Sequence, residues 1–281
     1  MSTAAAITNA LTIDVEDYFQ VSALAPHFPR ERWDSVPCRV EANVERILGL
    51  LAGRGVKATF FTLGWVAERY PQLVRRIAAE GHEVASHGYG HERASALPRE
   101  AFLADIRLAK AVLEDITGEA VSGYRAPSFS IGRANLWAHD CLAEAGYRYS
   151  SSVYPVQHDH YGMPEAPRFP WRLENGLVEI PVTTMRWLGR NWPAGGGGYF
   201  RLLPYALSRW QIARVNHNDR RPAIFYFHPW EIDPGQPRVR EAGAKTRFRH
   251  YVNLQHTEGR LRRLLQDFSW GRADTVFRDA A

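Results

Sequence analysis

Short apolar segments alternate with amphipathic segments along most of this 281-residue chain. Residues 10–15, 57–63 and 223–228 are apolar runs typical of buried strands, and the stretches between such runs carry apolar residues at helical spacing. This alternation predicts βα units around a parallel sheet. Because half a dozen or more units occur in one chain, we expect a closed or nearly closed barrel. No G-x-G-x-x-G motif follows the first strand, which weakens the alternative of an open dinucleotide-binding sheet.

Composition limits the class of protein. The hydrophobic content of 45% and the charged content of 23% are those of ordinary globular proteins, and there is no apolar run of about 18 residues to form a transmembrane helix. Cys38 and Cys141 form no CxxC pattern, which argues against a thiolate metal site or a disulfide framework. Residues 1–11 contain no basic residue and lack the pattern of a secretory signal, so we expect a cytoplasmic protein. We expect a single domain, with a barrel over residues 1–235 and a short helical, basic extension over 236–281 packed on it.

The positive charge is concentrated in this extension. From Arg238 to Arg263 there are eight basic residues against Glu241 and Glu258, which more than accounts for the net charge of +5. Such a segment is typical either of a solvated arginine-rich surface or of contact with an anionic polymer or a membrane surface. No signature of a nucleic-acid-binding module accompanies it, so we expect no nucleic-acid partner.

A run of four glycines occupies residues 195–198. No Lys-Ser or Lys-Thr pair follows it, so it is not a phosphate-binding loop. Glycine has no side chain and adopts conformations closed to other residues. The run therefore predicts either a mobile loop or a close approach of the backbone to its surroundings.

Polar residues with catalytic potential stand where the predicted strands end. They are Asp14 to Asp17, His87 to His91, Arg125, Ser150 to Ser152 and His228. The carboxyl ends of the strands of an α/β barrel share one rim, where the βα loops converge and active sites form. The sequence therefore predicts that these residues gather around one site.

His87 and His91 are four residues apart and can bind one metal ion, either on a helical turn or in a glycine-flexed loop. The residue after His87 is Gly88, not the glutamate of an H-E-x-x-H protease helix, so the base must come from elsewhere. Asp14 and Glu16 share one face of the first strand, and two such carboxylates stay ionised together when a cation compensates them. We expect Glu16, His87 and His91 to bind a divalent ion, with zinc the first candidate, and Asp14 to act as the base.

Two further residues fit this arrangement. Arg125 beside Asp14 would hold the carboxylate in place, and His228, at the end of an apolar run, could protonate a leaving amine. Taken alone, Arg125 would be a surface ion pair and His228 a hydrogen-bonded core histidine.

The order of an acidic strand end, H-x-x-x-H, Arg-x-Pro and a strand ending in His resembles the polysaccharide deacetylases, metal-dependent carbohydrate esterases with a distorted (β/α)7 barrel. The resemblance covers residues 11–231 and is most specific at SHGYGH, residues 86–91, and FHPWE, residues 227–231. One subgroup of that family is resembled by the sequences at residues 14–19 and 198–201 and by the arginine-rich tail over residues 247–268. That subgroup occurs in exopolysaccharide biosynthesis loci and is similar to peptidoglycan deacetylases.

The resemblance implies Asp14 as base, His87 and His91 as ligands, Arg125 as the residue that tethers the base, and His228 as acid. It also implies that the backbone amide of Ser128 helps to bind the oxyanion. Trp192, Tyr199 and Trp230 are candidates for stacking on sugar rings. Two departures stand out. Val15 occupies the place of a second adjacent aspartate, which leaves Glu16, favoured by strand parity, or Asp17 as the third ligand. Ser128 stands where the family has tyrosine, which predicts a different substrate groove.

The leading hypothesis is a metal-dependent deacetylase that hydrolyses the N-acetyl group of an amino sugar in a polysaccharide or its precursor. It implies an N-acetylated saccharide as partner and zinc, cobalt or nickel as cofactor. A small-molecule amidohydrolase and a non-catalytic carbohydrate-binding relative are the alternatives. A binding module has no need of a base, an acid and two ligating histidines, which argues against the last. The sugar, the native metal and the oligomeric state stay open.

Overall fold

The structure, a computed structural model, describes residues 7–158 and 161–280. The expectations for residues 1–6 and 281 lie outside these ranges. The strands are β1 (Thr8–Val15), β2 (Thr59–Thr62), β3 (Glu83–Ser86), β4 (Gly123–Tyr124), β5 (Tyr149–Ser150), β6 (Trp171–Arg172), β7 (Val178–Glu179), β8 (Thr184–Trp187), β9 (Arg190–Pro193), β10 (Ile224–Phe227) and β11 (Ser269–Gly271).

The α-helices lie mainly between these strands. They are α1 (Val40–Ala52), α2 (Gly64–Arg69), α3 (Pro71–Ala79), α4 (Arg99–Thr117), α5 (Ala138–Glu144), α6 (Gly197–Leu202), α7 (Tyr205–Arg214), α8 (Ala244–Tyr251), α9 (Leu254–Asp267) and α10 (Ala273–Val276). None of the helices in the described ranges is long and apolar enough to cross a membrane.

Seven parallel strands form a curled sheet in the order β10-β1-β2-β3-β4-β5-β7. β6 pairs antiparallel with β7, and β11 pairs parallel with the start of β1. The segment at residues 194–196 connects the two edges of the sheet, because Ala194 N–H donates to Thr183 O and Tyr226 N–H donates to Gly195 O. The predicted distorted (β/α)7 barrel is confirmed. The C-terminal extension adds a strand to the sheet as well as helices.

The glycine run is where the backbone approaches β10 most closely. A Cβ on Gly196, whose φ is 114°, would lie 2.1 Å from the carbonyl oxygen of Tyr226. A Cβ on Gly195 would lie 3.1 Å from the carbonyl oxygen of Ile224. Side chains at these two positions would push the connecting segment off the sheet, so close approach is the interpretation that the structure supports.

Some local predictions were wrong. The apolar spacing over residues 66–79 predicts a single helix, but two helices form there, because Pro71 disfavours helical geometry at Tyr70, whose φ and ψ are −130° and 58°. The predictions missed the hairpin of β8 and β9 and the helix α8. The sequence of α8, AKTRFRHY, is too polar to show an apolar stripe.

Strand register brings the predicted polar residues to one rim. Thr62 pairs with Ser86, Ser86 with Tyr124, and Tyr124 with Ser150, so His87, Arg125 and Ser151 follow neighbouring strands at the same level. On the other side of β1, Ile13 pairs with Phe227, which places Asp14 beside His228. The rim predicted from the strand ends is therefore formed.

Candidate metal centre and active site

Three potential metal ligands converge at this rim. The ligand atoms of Glu16, His87 and His91 lie within 4.8 Å of one another, and all three residues are buried. Oε2 of Glu16 is 2.5 Å from His91 Nε2 and 4.0 Å from His87 Nε2. This oxygen is buried and accepts no hydrogen bond of normal geometry from the described residues. A buried carboxylate oxygen is costly without a partner, and two imidazoles with one carboxylate are a donor set suited to zinc, so the residues fit a divalent ion.

The protonation states of Glu16 and His87 suit the binding of a metal ion. Burial by itself would raise the pKa of Glu16, but the imidazoles of His91, His228 and His87 hold it well below its usual range. Burial lowers the pKa of His87 to about 4. At neutral pH the carboxylate is therefore ionised and this imidazole is neutral, as a metal ligand must be.

Neighbouring groups orient two of the ligands. His87 Nδ1 is 2.8 Å from the carbonyl oxygen of Arg125. A carbonyl only accepts, so Nδ1 carries the proton and Nε2 is left to face Glu16. Trp230 Nε1 donates to Glu16 Oε1 at 3.1 Å, which turns Oε2 toward the histidines.

The histidines lie in a glycine-flexed loop, which decides between the two geometries left open by the sequence. Gly88 and His91 have φ values of 76° and 57°. The carboxylate of Asp105 on α4 accepts the N–H of Tyr89 at 3.1 Å, and Gly64 N–H at the start of α2 donates to Gly88 O at 2.9 Å. The loop is thus fixed from two helices.

Asp17, the rival third ligand, has other partners. Its carboxylate accepts the backbone N–H groups of Tyr18 at 2.8 Å and of Val40 at 2.9 Å, and that of Arg39 at 2.5 Å. The contacts with Arg39 and Val40 cap the start of α1. The structure therefore places Glu16, and not Asp17, with the two histidines.

Asp14 and Arg125 form a buried pair beside the metal centre. Arg125 Nη1 donates to Asp14 Oδ1 at 2.6 Å and to Thr12 Oγ1 at 2.8 Å. Ser151 accepts from Arg125 through its carbonyl oxygen at 3.2 Å and its hydroxyl at 3.0 Å, and the guanidinium lies 4.1 Å above the ring of Phe61. Ser151, which follows β5, thus helps to hold Arg125. The guanidinium bonds to Asp14 Oδ1, which leaves Oδ2 of the same carboxylate facing the cavity.

His228 faces both carboxylates. Its Nε2 is 3.8 Å from Asp14 Oδ2 and 3.7 Å from Glu16 Oε1. Its Nδ1 is 2.7 Å from Glu231 Oε1, and Glu231 Oε2 is 2.6 Å from Arg201 Nε. Sequence reasoning missed Glu231 and Arg201 as parts of this site. Two signals were available: Glu231 follows His228 by three residues and ends the FHPWE segment, and Arg201 ends the segment at residues 198–201 that resembles the subgroup.

These carboxylates set the charge of His228. Burial by itself would lower the pKa of this imidazole, but Glu16, Glu231 and Asp14 raise it to about 9. Burial likewise opposes ionisation of Glu231, but Arg201 and His228 lower its pKa to about 2. At neutral pH the chain without a bound metal ion therefore presents a protonated imidazole beside Glu16 and Asp14.

Two family models match successive parts of the chain. A family model described as polysaccharide deacetylase matches residues 32–150, and one described as a domain of unknown function (DUF3473) matches residues 151–278. A peptidoglycan deacetylase of Helicobacter pylori is 28% identical over 113 residues, which are 40% of this chain and 38% of the relative. A peptidoglycan-N-acetylglucosamine deacetylase of Bacillus cereus is 37% identical over 94 residues, which are 33% of this chain and 34% of the relative.

Residues 32–150 of the chain are thus similar to the polysaccharide deacetylase family, and the two relatives support that likeness. Its matches span little more than a third of the length of these two relatives. A solved Mycobacterium smegmatis structure shares the fold, with a TM-score of 0.65 and 22% identity over 100% of this chain and 92% of that one. The deacetylase match includes His87, His91 and Arg125, whereas Asp14 and Glu16 precede it.

The site opens into a cavity of about 250 Å³. Asp14, the three ligands and His228 line it, and Ser128 lies on its wall with a φ of 55°. The three aromatic residues predicted to stack on sugar rings do not all line this cavity. Trp230 is 5% exposed and bonded to Glu16, and Tyr199 lines an adjoining groove. Trp192 is 45% exposed and lies outside the cavity of the site.

Proposed function

We propose that this protein is a metal-dependent deacetylase that hydrolyses the N-acetyl group of an amino sugar in a polysaccharide or its precursor. One observation carries the proposal: Glu16, His87 and His91 form a ligand set, and Asp14 and His228 face the same cavity. The relatives named as deacetylases, one of them of peptidoglycan N-acetylglucosamine, support the choice of substrate class.

A divalent ion bound by Glu16, His87 and His91 would polarise the acetyl carbonyl and lower the pKa of a water molecule. Asp14, held at Oδ1 by Arg125, accepts a proton from the attacking water at Oδ2. The water oxygen adds to the carbonyl carbon. His228, which donates from Nδ1 to Glu231, gives its Nε2 proton to the amide nitrogen as the carbon–nitrogen bond breaks. The products are acetate and a free amino sugar.

The backbone N–H of Ser128 is the proposed donor to the developing oxyanion, because this residue lies on the cavity wall in a left-handed conformation. Zinc is the proposed ion, since histidine and carboxylate ligands suit it, with cobalt and nickel as alternatives. The resemblance at residues 14–19 and 198–201 supports a place in exopolysaccharide biosynthesis, and the cytoplasm is the proposed location.

Metal analysis and acetate release test this proposal. Purified protein should contain about one divalent ion per chain and should release acetate from oligomers of N-acetylglucosamine. His87→Ala should lose both properties, and Asp14→Asn should keep the ion but lose the activity. His256→Ala, a substitution on the exposed side of α9, is the matched control and should change neither.

The alternatives give different results. Hydrolysis of small linear or cyclic amides without acetate release from any saccharide would identify an amidohydrolase. Saccharide binding that Asp14→Asn leaves unchanged, with no acetate released by the wild-type protein, would identify a non-catalytic binding protein. Full activity of metal-free His87→Ala would rule out the proposed mechanism.

A further inference from the structure

Exposed apolar side chains are concentrated in one part of the surface. Among the described residues nine large apolar side chains are exposed, and six of them lie between residues 187 and 210. These six are Trp187, Leu188, Trp192, Leu202, Leu207 and Trp210. Apolar surface gathered in this way marks a place where a protein meets a partner or a membrane, whereas single exposed apolar residues need no such explanation.

Three of the six belong to the hairpin of β8 and β9. The base of the hairpin is fixed, because Met185 is buried in a small apolar cluster and Asn191 Nδ2 donates to the carbonyl oxygen of Pro155 at 3.0 Å. The outer half is open to solvent. Trp187 and Trp192 are 46% and 45% exposed there, with ring centroids 6.2 Å apart. The hairpin therefore presents an aromatic pair on a firmly held base.

The turn of this hairpin carries a leucine that the backbone does not favour. Trp187 pairs with Arg190, so Leu188 and Gly189 form a two-residue turn. Their φ values of 49° and 74° are both positive, as in a type I′ turn, where asparagine and glycine are preferred. Leu188 is also 79% exposed. Neither the turn nor packing within the chain favours leucine here, whereas contact with an apolar environment would.

Helix α7 carries further apolar surface beside the hairpin. It packs against β8, and Gln211 Nε2 donates to the carbonyl oxygen of Pro193 in β9 at 3.0 Å. Leu207 and Trp210 are exposed and three positions apart, so they share one side of this helix. The guanidinium of Arg214 lies 5.7 Å from the ring of Trp210. Exposed apolar residues of α7 therefore adjoin the hairpin.

The same region is positively charged. Residues 180–218 contain five arginines and no Asp or Glu. The acidic residues on either side of this segment are engaged, because Glu179 is buried and Asp219 pairs with Arg168 at 2.8 Å. Arg186 and Arg190 flank the turn and are exposed, and no carboxylate in the described ranges forms an ion pair with either. Positive charge thus surrounds the apolar tip of the hairpin.

The basic residues of the C-terminal extension are used differently, since most of those between residues 238 and 263 have partners within the chain. Arg260 donates to three carbonyl oxygens around the end of α6. Arg262 pairs with Glu258. The other contacts of this kind are Arg263 over the ring of Tyr205, Arg238 over the ring of Tyr251, and Arg247 with Arg240 O. The hairpin is therefore better placed than the extension to meet an anionic surface.

We propose that the β8–β9 hairpin and the adjoining side of α7 dock on an anionic lipid bilayer, with Leu188, Trp187 and Trp192 in the interfacial region. Tryptophan is enriched at membrane–water interfaces, and anionic headgroups attract arginine. Saccharides stack on flat aromatic faces, to which a leucine at the tip adds nothing, so a bilayer fits this surface better than a sugar chain. The inference does not depend on the proposed function, because these residues lie outside the cavity of the site.

Flotation with lipid vesicles tests the proposal. The full chain is mixed with vesicles of equimolar phosphatidylglycerol and phosphatidylcholine, or with vesicles of phosphatidylcholine alone. We expect binding to the anionic vesicles that weakens as salt is added, because salt screens the attraction of the arginines. Arg186→Gln and Arg190→Gln should each lower the partition coefficient about fivefold at low salt. Arg54→Gln, an exposed arginine outside this region, is the control and should bind as wild type.

Leu188→Asn separates docking from folding. Asparagine suits the left-handed conformation at this turn, so the thermal unfolding temperature should not fall. The partition coefficient should nevertheless fall about tenfold, the ratio expected when a leucine side chain loses its apolar contact. Leu108→Asn makes the same change at another exposed leucine, on α4, and should bind vesicles as wild type does.

Quenching by brominated phosphatidylcholine in the anionic vesicles reports which tryptophans reach the lipid. Wild-type fluorescence should be quenched, and Trp187→Phe/Trp192→Phe should lose most of that quenching. Absence of binding to anionic vesicles, or full binding by Leu188→Asn, would overturn the proposal.

Two other occupants of this surface have their own signatures. A dimer in light scattering that Leu188→Asn dissociates, without vesicle binding by the wild type, would assign the surface to a second copy of the chain. Calorimetric binding of N-acetylglucosamine oligomers that Trp187→Phe/Trp192→Phe abolishes, again without vesicle binding, would assign it to a saccharide. Either result would replace the bilayer as the partner.

Discussion

The indole Nε1 of Trp230 donates a 3.1 Å hydrogen bond to Oε1 of Glu16, a residue 214 positions earlier in the chain. The bond turns Oε2 of the same carboxylate toward His91 and His87. Groups that orient metal ligands in this way typically contribute roughly 10- to 100-fold to metal affinity. Trp230 thus supports the proposed metal centre.

Trp230→Phe should therefore weaken zinc binding by about tenfold, because phenylalanine keeps an aromatic ring against His228 and His250 but cannot donate. Competition with a chromogenic chelator measures the affinity. Trp192→Phe is the control, since Trp192 is exposed and lies outside the cavity. Equal zinc affinity in wild type and Trp230→Phe would contradict the orienting role.

Arg125→Met should lower the free energy of unfolding by about 3–5 kcal/mol, because it leaves the Asp14 carboxylate buried without its guanidinium partner. Urea denaturation of the metal-free protein measures this change. Adding Asp14→Asn should recover part of the loss, since the unpaired charge is then removed. Arg46→Met breaks an exposed pair with Glu258 and should cost less than about 1 kcal/mol. A loss of the same small size in Arg125→Met would be inconsistent with the buried pair.

Asp105→Ala should reduce zinc affinity by about tenfold by releasing the backbone of the loop that carries both histidines. Burial raises the pKa of Asp105, and the N–H groups of the loop oppose that rise. Calorimetric titration with zinc is the measurement. Asp115→Ala lies on the exposed side of the same helix and should behave as wild type. Loss of stability without loss of zinc affinity would assign Asp105 to packing alone.

The sequence was sufficient to predict the gathering of Asp14, His87, Arg125 and His228. Parallel strands bring their carboxyl ends to one rim, so residues at the ends of apolar runs meet whatever the intervening helices contain. The alternation of strands and helices was readily visible in the sequence, because buried parallel strands are almost continuously apolar. The fold and the main site residues follow from this pattern.

Tertiary contacts between distant segments were beyond sequence reasoning. The choice of Glu16 over Asp17 as the third ligand depends on α1. Asp17 accepts hydrogen bonds from the N–H groups at the start of this helix, which lie 22 and 23 residues later in the chain. Arg201 and Glu231, which are 30 residues apart in the chain, form a hydrogen bond. The aromatic ring of Trp230 suggested stacking on a sugar ring. The partner of its N–H, Glu16, depends on the packing of β1 against the segment after β10, which the sequence does not reveal.

Glu231 gives the site a dependence on pH that can be measured. Burial would lower the pKa of His228, but the carboxylates of Glu16, Glu231 and Asp14 raise it to about 9 from an ordinary value of 6.5. A pKa that is higher in the folded state contributes stability that is complete below pH 6.5 and is lost as the pH rises through 9. The protonated imidazole is also the form that can act as an acid.

Glu231→Gln should lower the pKa of His228, because the amide keeps an acceptor for Nδ1 but removes a negative charge at 2.7 Å. Titration of the His228 imidazole by NMR in metal-free protein measures the midpoint, and the alkaline fall in the free energy of unfolding should move to lower pH with it. Glu165→Gln removes an exposed carboxylate paired with Arg133 and should leave both unchanged. If the midpoint stays the same in Glu231→Gln, then Glu16 and Asp14 alone keep His228 protonated, and Glu231 only orients the ring.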